Sequence, residues 1–315
     1  MTSSVARTCS ASPHSPFDPD AHNCYVAWRE RKLAGWPSNS AELMTEICDG
    51  AEPADTEIEA IRAALARTNI AFYRLKSAMP GDKAMLRALG RRLGLERLDN
   101  NLCADGDGIT SLTVVEKPRQ GEYVPYTNRP LNWHTDGYYN APERQIRSVI
   151  LHCVRPAQEG GGNAFLDHEI AYIRLRDRNP DFIRALMAPD AMTIPPNVKN
   201  GREIRPRQTG PVFSIDAHGN LHMRYSARAR NIEWKDDSTT QTAAEYLLNL
   251  FQQDSPYIFR HRLEAGEGVI SNNVLHCRTG FSHQDGETPR LLYRARYFDR
   301  VTNSETGAGE QHVVS

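Results

Sequence analysis

The chain has 315 residues, 39% of them hydrophobic and 24% charged, with a formal net charge of -1. That balance fits a globular chain with length for a large core and gives no global electrostatic case for nucleic acid. No apolar run approaches the ~20 residues that cross a bilayer, and the N-terminus lacks the apolar stretch of a signal peptide. The expectation is therefore a cytoplasmic protein with neither a membrane nor a nucleic-acid partner.

Residues 1–24, rich in Ser, Pro, Ala and Asp, are expected to form a mobile arm. Residues 56–67 (TEIEAIRAALAR) place apolar side chains at 58, 61 and 65 and predict an amphipathic helix capped near Asp55 or Thr56. A short aromatic strand is predicted over 69–75, a helix with a basic outer face over 81–95, and a strand over 110–115. Beyond residue 130 the texture turns mostly β. Strands are predicted in 147–154, 163–167, 211–216, 221–226, 257–263, 268–276 and 290–298, with His218-Gly219-Asn220 as a hairpin turn. Helices are predicted over 168–178 and 239–253. There is no internal repeat or low-complexity linker, so residues 25–305 are expected to be one domain, with a tail at 306–315. Early helices followed by many short strands point to a mainly β barrel or jelly roll with flanking helices. The six cysteines form no C-x-x-C pair, so a zinc ribbon or a thioredoxin-type site is not expected.

Within NWHTDGYYN (132–140) a histidine and an aspartate stand two residues apart. If the segment is extended, side chains at i and i+2 share a face, and His134 and Asp136 converge while Thr135 points away. An H-x-D pair alone is common by chance, and a polar turn is the bland alternative. A third ligand has to come from the remaining histidines. His14, His22 and His312 lie near the ends, His152 sits in an apolar strand, His168 begins a helix and His218 lies in a turn. The surroundings of His222, His261 and His283 say little. His276 stands out at the end of the β-like run GVISNNVLH, shortly before the arginine-rich RLLYRARYF. Two histidines and one carboxylate fill one face of an octahedral iron(II) ion and leave three positions open, whereas a structural zinc site takes four protein ligands.

WHTDGYY, GGGNAFLD, NNVLHCRTGF and RLLYRAR, in that order, make the chain similar to the Fe(II)/2-oxoglutarate-dependent dioxygenases, and among these it resembles the taurine dioxygenase family from about residue 55 to about 300. The resemblance implies a double-stranded β-helix with His134, Asp136 and His276 as iron ligands. It also implies use of Fe(II), 2-oxoglutarate and O2, with succinate and CO2 released as an unactivated C–H of a small molecule is hydroxylated. An aspartate at 136 favours hydroxylation over halogenation in enzymes of this type.

By strand parity Arg290, Arg294 and Arg296 share one face. A guanidinium suits a buried carboxylate because its planar fork binds in two places and stays charged; a solvated strand face is the bland alternative. The resemblance assigns Arg290 to 2-oxoglutarate and Arg294 to an anionic group on the substrate, with Arg296 unassigned. Relatives often carry a threonine after the glycine pair, and here that place holds Ala164, so Asn163 serves only if the register slips. For the substrate itself, Asn132 and Tyr138 are candidates beside the first ligands, with Tyr126, Asn128 and Asn140 near them, and Arg224 and Tyr225 are expected near the mouth. A polar pocket with a spare arginine suggests a small acid, such as an amino acid or dicarboxylate. Two other functions stay open: a non-catalytic metal- or anion-binding sensor or scaffold, and an oxygenase acting on a macromolecule. The sequence leaves the oligomeric state open, a homodimer included.

Overall fold

A computed structural model describes residues 15–76, 81–100, 105–114, 124–228, 232–282 and 288–302. The cap expected at Asp55 or Thr56 is Ala54, one residue before Asp55. Helix α2 (Asp55–Thr68) begins where the Glu57 carboxylate accepts the Ala54 N–H, and it ends at Asn69, whose φ of 58° breaks the helix. Its buried stripe is Ile58, Ile61 and Leu65, as the periodicity predicts. Helix α3 (Lys83–Arg92) is capped by Asp82, which accepts from the Met85 N–H. Helix α4 (His168–Arg178) is capped by Asp167 and α6 (Ser238–Leu250) by Asp237.

Two helices escaped the sequence reading: α1 (His22–Ala34) and the short α5 (Pro180–Leu186). The arm expected over 1–24 is therefore corrected for residues 15–24, which are packed. Phe17 is buried edge-on against Trp28 and Tyr172, and Arg176 donates to the carbonyls of Pro16, Asp18 and Pro19. The rest of that arm and the tail lie outside the described residues.

Ten strands form two facing sheets. The larger runs β1 (Met44–Ile47), β2 (Ile70–Leu75), β8 (Glu267–Ser271), β5 (Ser148–Arg155), β10 (Leu291–Tyr297) and β3 (Thr110–Leu112) in spatial order; only the β1–β2 pair is parallel. The smaller is antiparallel throughout, in the order β7 (Ile258–His261), β6 (Asn163–Leu166), β9 (Leu275–Arg278) and β4 (Leu131–His134). Strand alternation builds three layers. Phe72, Val269 and Leu292 of the larger sheet meet Phe165 of the smaller one between the sheets. Ala71, Tyr73, Ile150, Ile270 and Ala295 face outward under α2 and α3, and Ala164, Leu166 and Leu275 face outward under α4, α5 and α6. Each such side chain larger than alanine contributes roughly 1.5–3 kcal/mol on burial. The result is the mainly β, helix-flanked double-stranded β-helix.

The run 268–276, expected as one strand, is two. β8 ends at Ser271 in the larger sheet and β9 begins at Leu275 in the smaller. The corner between them carries Asn273 at φ 52°. The expected hairpin at 218–220 is present: Phe213–Ile215 pairs with Leu221–Met223 around Gly219, whose φ is 81°. The described cysteines, 24, 48, 153 and 277, are free thiols. Among the described residues no helix is long and apolar enough to cross a membrane.

Candidate metal centre

β4 and β9 are antiparallel neighbours, and their register sets His134 directly opposite His276, with the rings 4.3 Å apart between centroids. Each imidazole is tethered alike. Nδ1 of His134 bonds the Asn132 carbonyl at 2.8 Å, and Nδ1 of His276 bonds the Val274 carbonyl at 3.0 Å. A carbonyl only accepts, so Nδ1 holds the proton and Nε2 presents its lone pair, the arrangement of a metal-binding imidazole. Burial first, and then the neighbouring His276, push the His134 imidazolium down to about 3, so this ring is neutral at physiological pH.

Asp136 arrives differently from the extended alternation expected over 132–138. β4 stops at His134, and Asp136 follows in a turn that Gly137 permits at φ 66°, where a Cβ would run into Ile146. Even so, one ligand atom each from His134, Asp136 and His276 lie within 4.8 Å of one another. Burial disfavours the Asp136 carboxylate, but Arg294, Arg296 and the two histidines outweigh that and hold its carboxyl well below the usual range. Arg294 Nη1 donates to Oδ1 at 3.2 Å, while Oδ2 is buried with no hydrogen-bond partner among the described residues. A buried, ionised oxygen without a donor is costly unless a cation meets it. With two imidazole nitrogens beside it, the donor set fits a divalent first-row metal bound through one face.

A cavity opens from this centre into the space between the sheets, lined by Asn163, Phe165, His276, Arg290, Leu292 and Arg294. Arg290 is buried there, and its guanidinium lies 5.0 Å from the Phe281 ring centre. Among the described residues it forms no ion pair, and burial alone draws it down to about 10.

A sequence model for the family described as taurine catabolism dioxygenase TauD, TfdA matches residues 35–296. The chain belongs to that family. Two curated relatives carry the name uridine-5'-phosphate dioxygenase. The one from Amycolatopsis sp is 29% identical over 174 residues, 52% of this chain and 60% of its own length. The one from Streptomyces sp is 28% identical over 203 residues, 62% of this chain and 71% of its own. Among solved structures, asparagine oxygenase superposes with a TM-score of 0.55 at 18% identity, covering 93% of this chain and 86% of that one. The non-heme iron oxygenase OrfP, solved with Fe and alpha-ketoglutaric acid, gives 0.58 at 16% identity over 79% and 81%. At such identities these structures show the shared fold.

Within this TauD, TfdA-type chain the remaining candidates sort by geometry. Asn163 and Phe165 face the cavity while Ala164 faces the outer core. The residue at the cavity wall is thus Asn163, whose Nδ2 donates to the Cys277 carbonyl at 3.3 Å and whose Oδ1 is buried without a partner among the described residues. Arg296 is held by Asp99 and by the Tyr139 hydroxyl, with Nη1 4.0 Å from Asp136. Tyr138 meets the His134 ring edge-on at 6.5 Å. Asn132 is exposed, and its carbonyl orients His134. Asn140 donates to the Arg144 carbonyl, Tyr126 is core, and the exposed Asn128 accepts the Phe281 N–H through its carbonyl.

Arg224 is a correction. Its N–H groups point at the carbonyls of Pro211, Tyr138, Gln208, Met192 and Gly210, which leaves no donor for a substrate. Tyr225 is likewise core, against Trp234 and Phe251. Two residues were missed. Arg278 lies over the Phe281 ring, 4.8 Å from its centre, lines the same cavity and shares His276's parity, a usable signal in LHCR. Asn273 brackets the Asp136 backbone from across the corner, a contact no local pattern announces.

Proposed function

We propose that this protein is an iron(II)- and 2-oxoglutarate-dependent oxygenase that hydroxylates an unactivated C–H of a small anionic molecule and releases succinate and CO2. The observation that carries the reading is the pairing of a two-histidine, one-carboxylate face with a buried guanidinium, Arg290, that among the described residues has no acid of its own in the adjoining cavity. Iron(II), with 2-oxoglutarate and O2, supplies the oxidising power. The protein's part is placement. His134, Asp136 and His276 would hold the metal, a donor set that suits iron(II) with positions left for 2-oxoglutarate and O2. Arg290 takes the far carboxylate of 2-oxoglutarate, with Asn163 on the same wall as a second polar contact. Arg294, fixed against Asp136, lies where an anionic substrate group can meet it, with Tyr138 and Asn132 toward the outside. The apolar walls at Leu292 and Phe165 exclude water from the reacting centre.

The relatives' names put uridine-5'-phosphate first among substrates to try, beside amino acids and dicarboxylates. A cytoplasmic setting, where iron(II) and 2-oxoglutarate are replenished, is part of the proposal. The test is oxygen uptake by anaerobically iron-loaded protein on adding 2-oxoglutarate and each candidate, with succinate counted. Coupled uptake with one of them is expected. A folded, iron-loaded sample that forms no succinate and shows no visible charge-transfer band with 2-oxoglutarate would exclude the reading.

A further inference from the structure

We infer that Asn273 is a positioning residue that sets Asp136 in its metal-ready place before any metal binds; this rests on the metal-site reading above. β4 ends at His134, so Asp136 lacks the ladder partner that a strand residue would have. Asn273 supplies a substitute. Its Oδ1 accepts the Asp136 N–H at 2.8 Å, and its Nδ2 donates to the Asp136 carbonyl at 2.9 Å and to the Ile146 carbonyl at 2.6 Å. One side-chain amide thus accepts from and donates to the same residue, as a neighbouring strand would, and also ties that residue to the lead-in of β5. Asn273 is 1% exposed, so these bonds form away from competing water.

The residue type follows from the geometry. At φ 52° the backbone lies in the left-handed region, which asparagine tolerates better than most residues. Aspartate would accept the N–H but repel both carbonyls, and serine is too short to bridge three groups. The position matters as well. Asn273 precedes the ligand His276 by three residues, so the corner that delivers one ligand also clamps the turn that delivers another. Asn272, its neighbour, has different work: it hydrogen-bonds Asn69, Ser148 and Val301.

The experiment compares Asn273→Gly, which keeps the φ angle without the amide, and Asn273→Asp with Asn272→Ala, a variant that removes a comparable buried amide. Cobalt(II) affinity is read anaerobically by absorption and calorimetry, and exchange of the Asp136 amide is read by NMR in metal-free protein. Cobalt binding should weaken at least about tenfold in both 273 variants and stay within about threefold in the 272 variant. The Asp136 amide should be protected in the metal-free wild type and lose protection in Asn273→Gly. Unchanged cobalt affinity in a folded Asn273→Gly overturns the inference. So does fast exchange of the Asp136 amide in metal-free wild type, a readout that decides the matter even if the variants do not fold. Wild type that binds no cobalt sinks the metal-site reading instead, a distinct result.

Discussion

Arg290 is a guanidinium buried with no acidic partner among the described residues, and at the scale of single residues that is the strongest pointer to an anionic ligand. Charge-assisted bonds of this kind contribute roughly 1.5–3 kcal/mol. Arg290→Gln should therefore raise the KM for 2-oxoglutarate by about 30- to 100-fold while kcat at saturation stays within about threefold. An unchanged KM in steady-state kinetics would remove Arg290 from the site. Arg224 gives the opposite case. Its donors all end on carbonyls, so Arg224→Met should lower the melting temperature, leaving five acceptors unmet, without a selective rise in substrate KM in whatever protein remains folded. The difference between the two arginines shows where sequence reading works. Parity along one strand placed Arg290, Arg294 and Arg296 on a common face. Nothing local could show that five carbonyls from three separate stretches close around Arg224, or that Asn273 reaches Asp136 across 137 positions of chain.

At the scale of elements, α4 was legible to the residue because its cap, periodicity and end all sit in a short window. α1 was not. Its charged face reads as solvated, yet Lys32 is buried between Asp167 and Glu169 at 2.6 and 2.5 Å, partners far along the chain. Phe17, just before α1, plugs the same interface against Tyr172. Phe17→Ala should cost about 3 kcal/mol by chemical denaturation, in the range for buried aromatic truncations. It packs outside the smaller sheet, so turnover per folded molecule should not change. A loss of kcat without a loss of stability would show that the N-terminal segment has a part in the reaction. The corner between β8 and β9 marks the other limit. Continuous β character from 268 to 276 concealed a passage from one sheet to the other, since a strand pattern fixes which face a residue takes but not which sheet it joins.

At the scale of the whole molecule, the fold chooses which of eleven histidines it keeps neutral. Burial leads the causes that lower His134, His168 and His222, with His134 brought to about 3 and His222 well below its ordinary value. The unfolded chain binds protons at these positions near pH 6.5 and the folded one does not. Unfolding therefore takes up protons as pH falls, and stability declines from about pH 7 downward. Between pH 7 and 5.5, His134 should remove about 1 kcal/mol, with His222 and His168 acting in the same direction. Carboxylates held low, such as Glu169, pushed down to about 2, continue the decline below about pH 5. Unfolding free energies of metal-free protein from urea titrations should thus be lower at pH 5.5 than at pH 7 by at least about 1 kcal/mol, and a flat profile would mean that these rings are protonated inside the fold. Cobalt(II) or iron(II) binds only the neutral form of His134, so saturating metal should raise stability at both pH values. His168→Asn and His222→Asn should each flatten the slope of the metal-free protein.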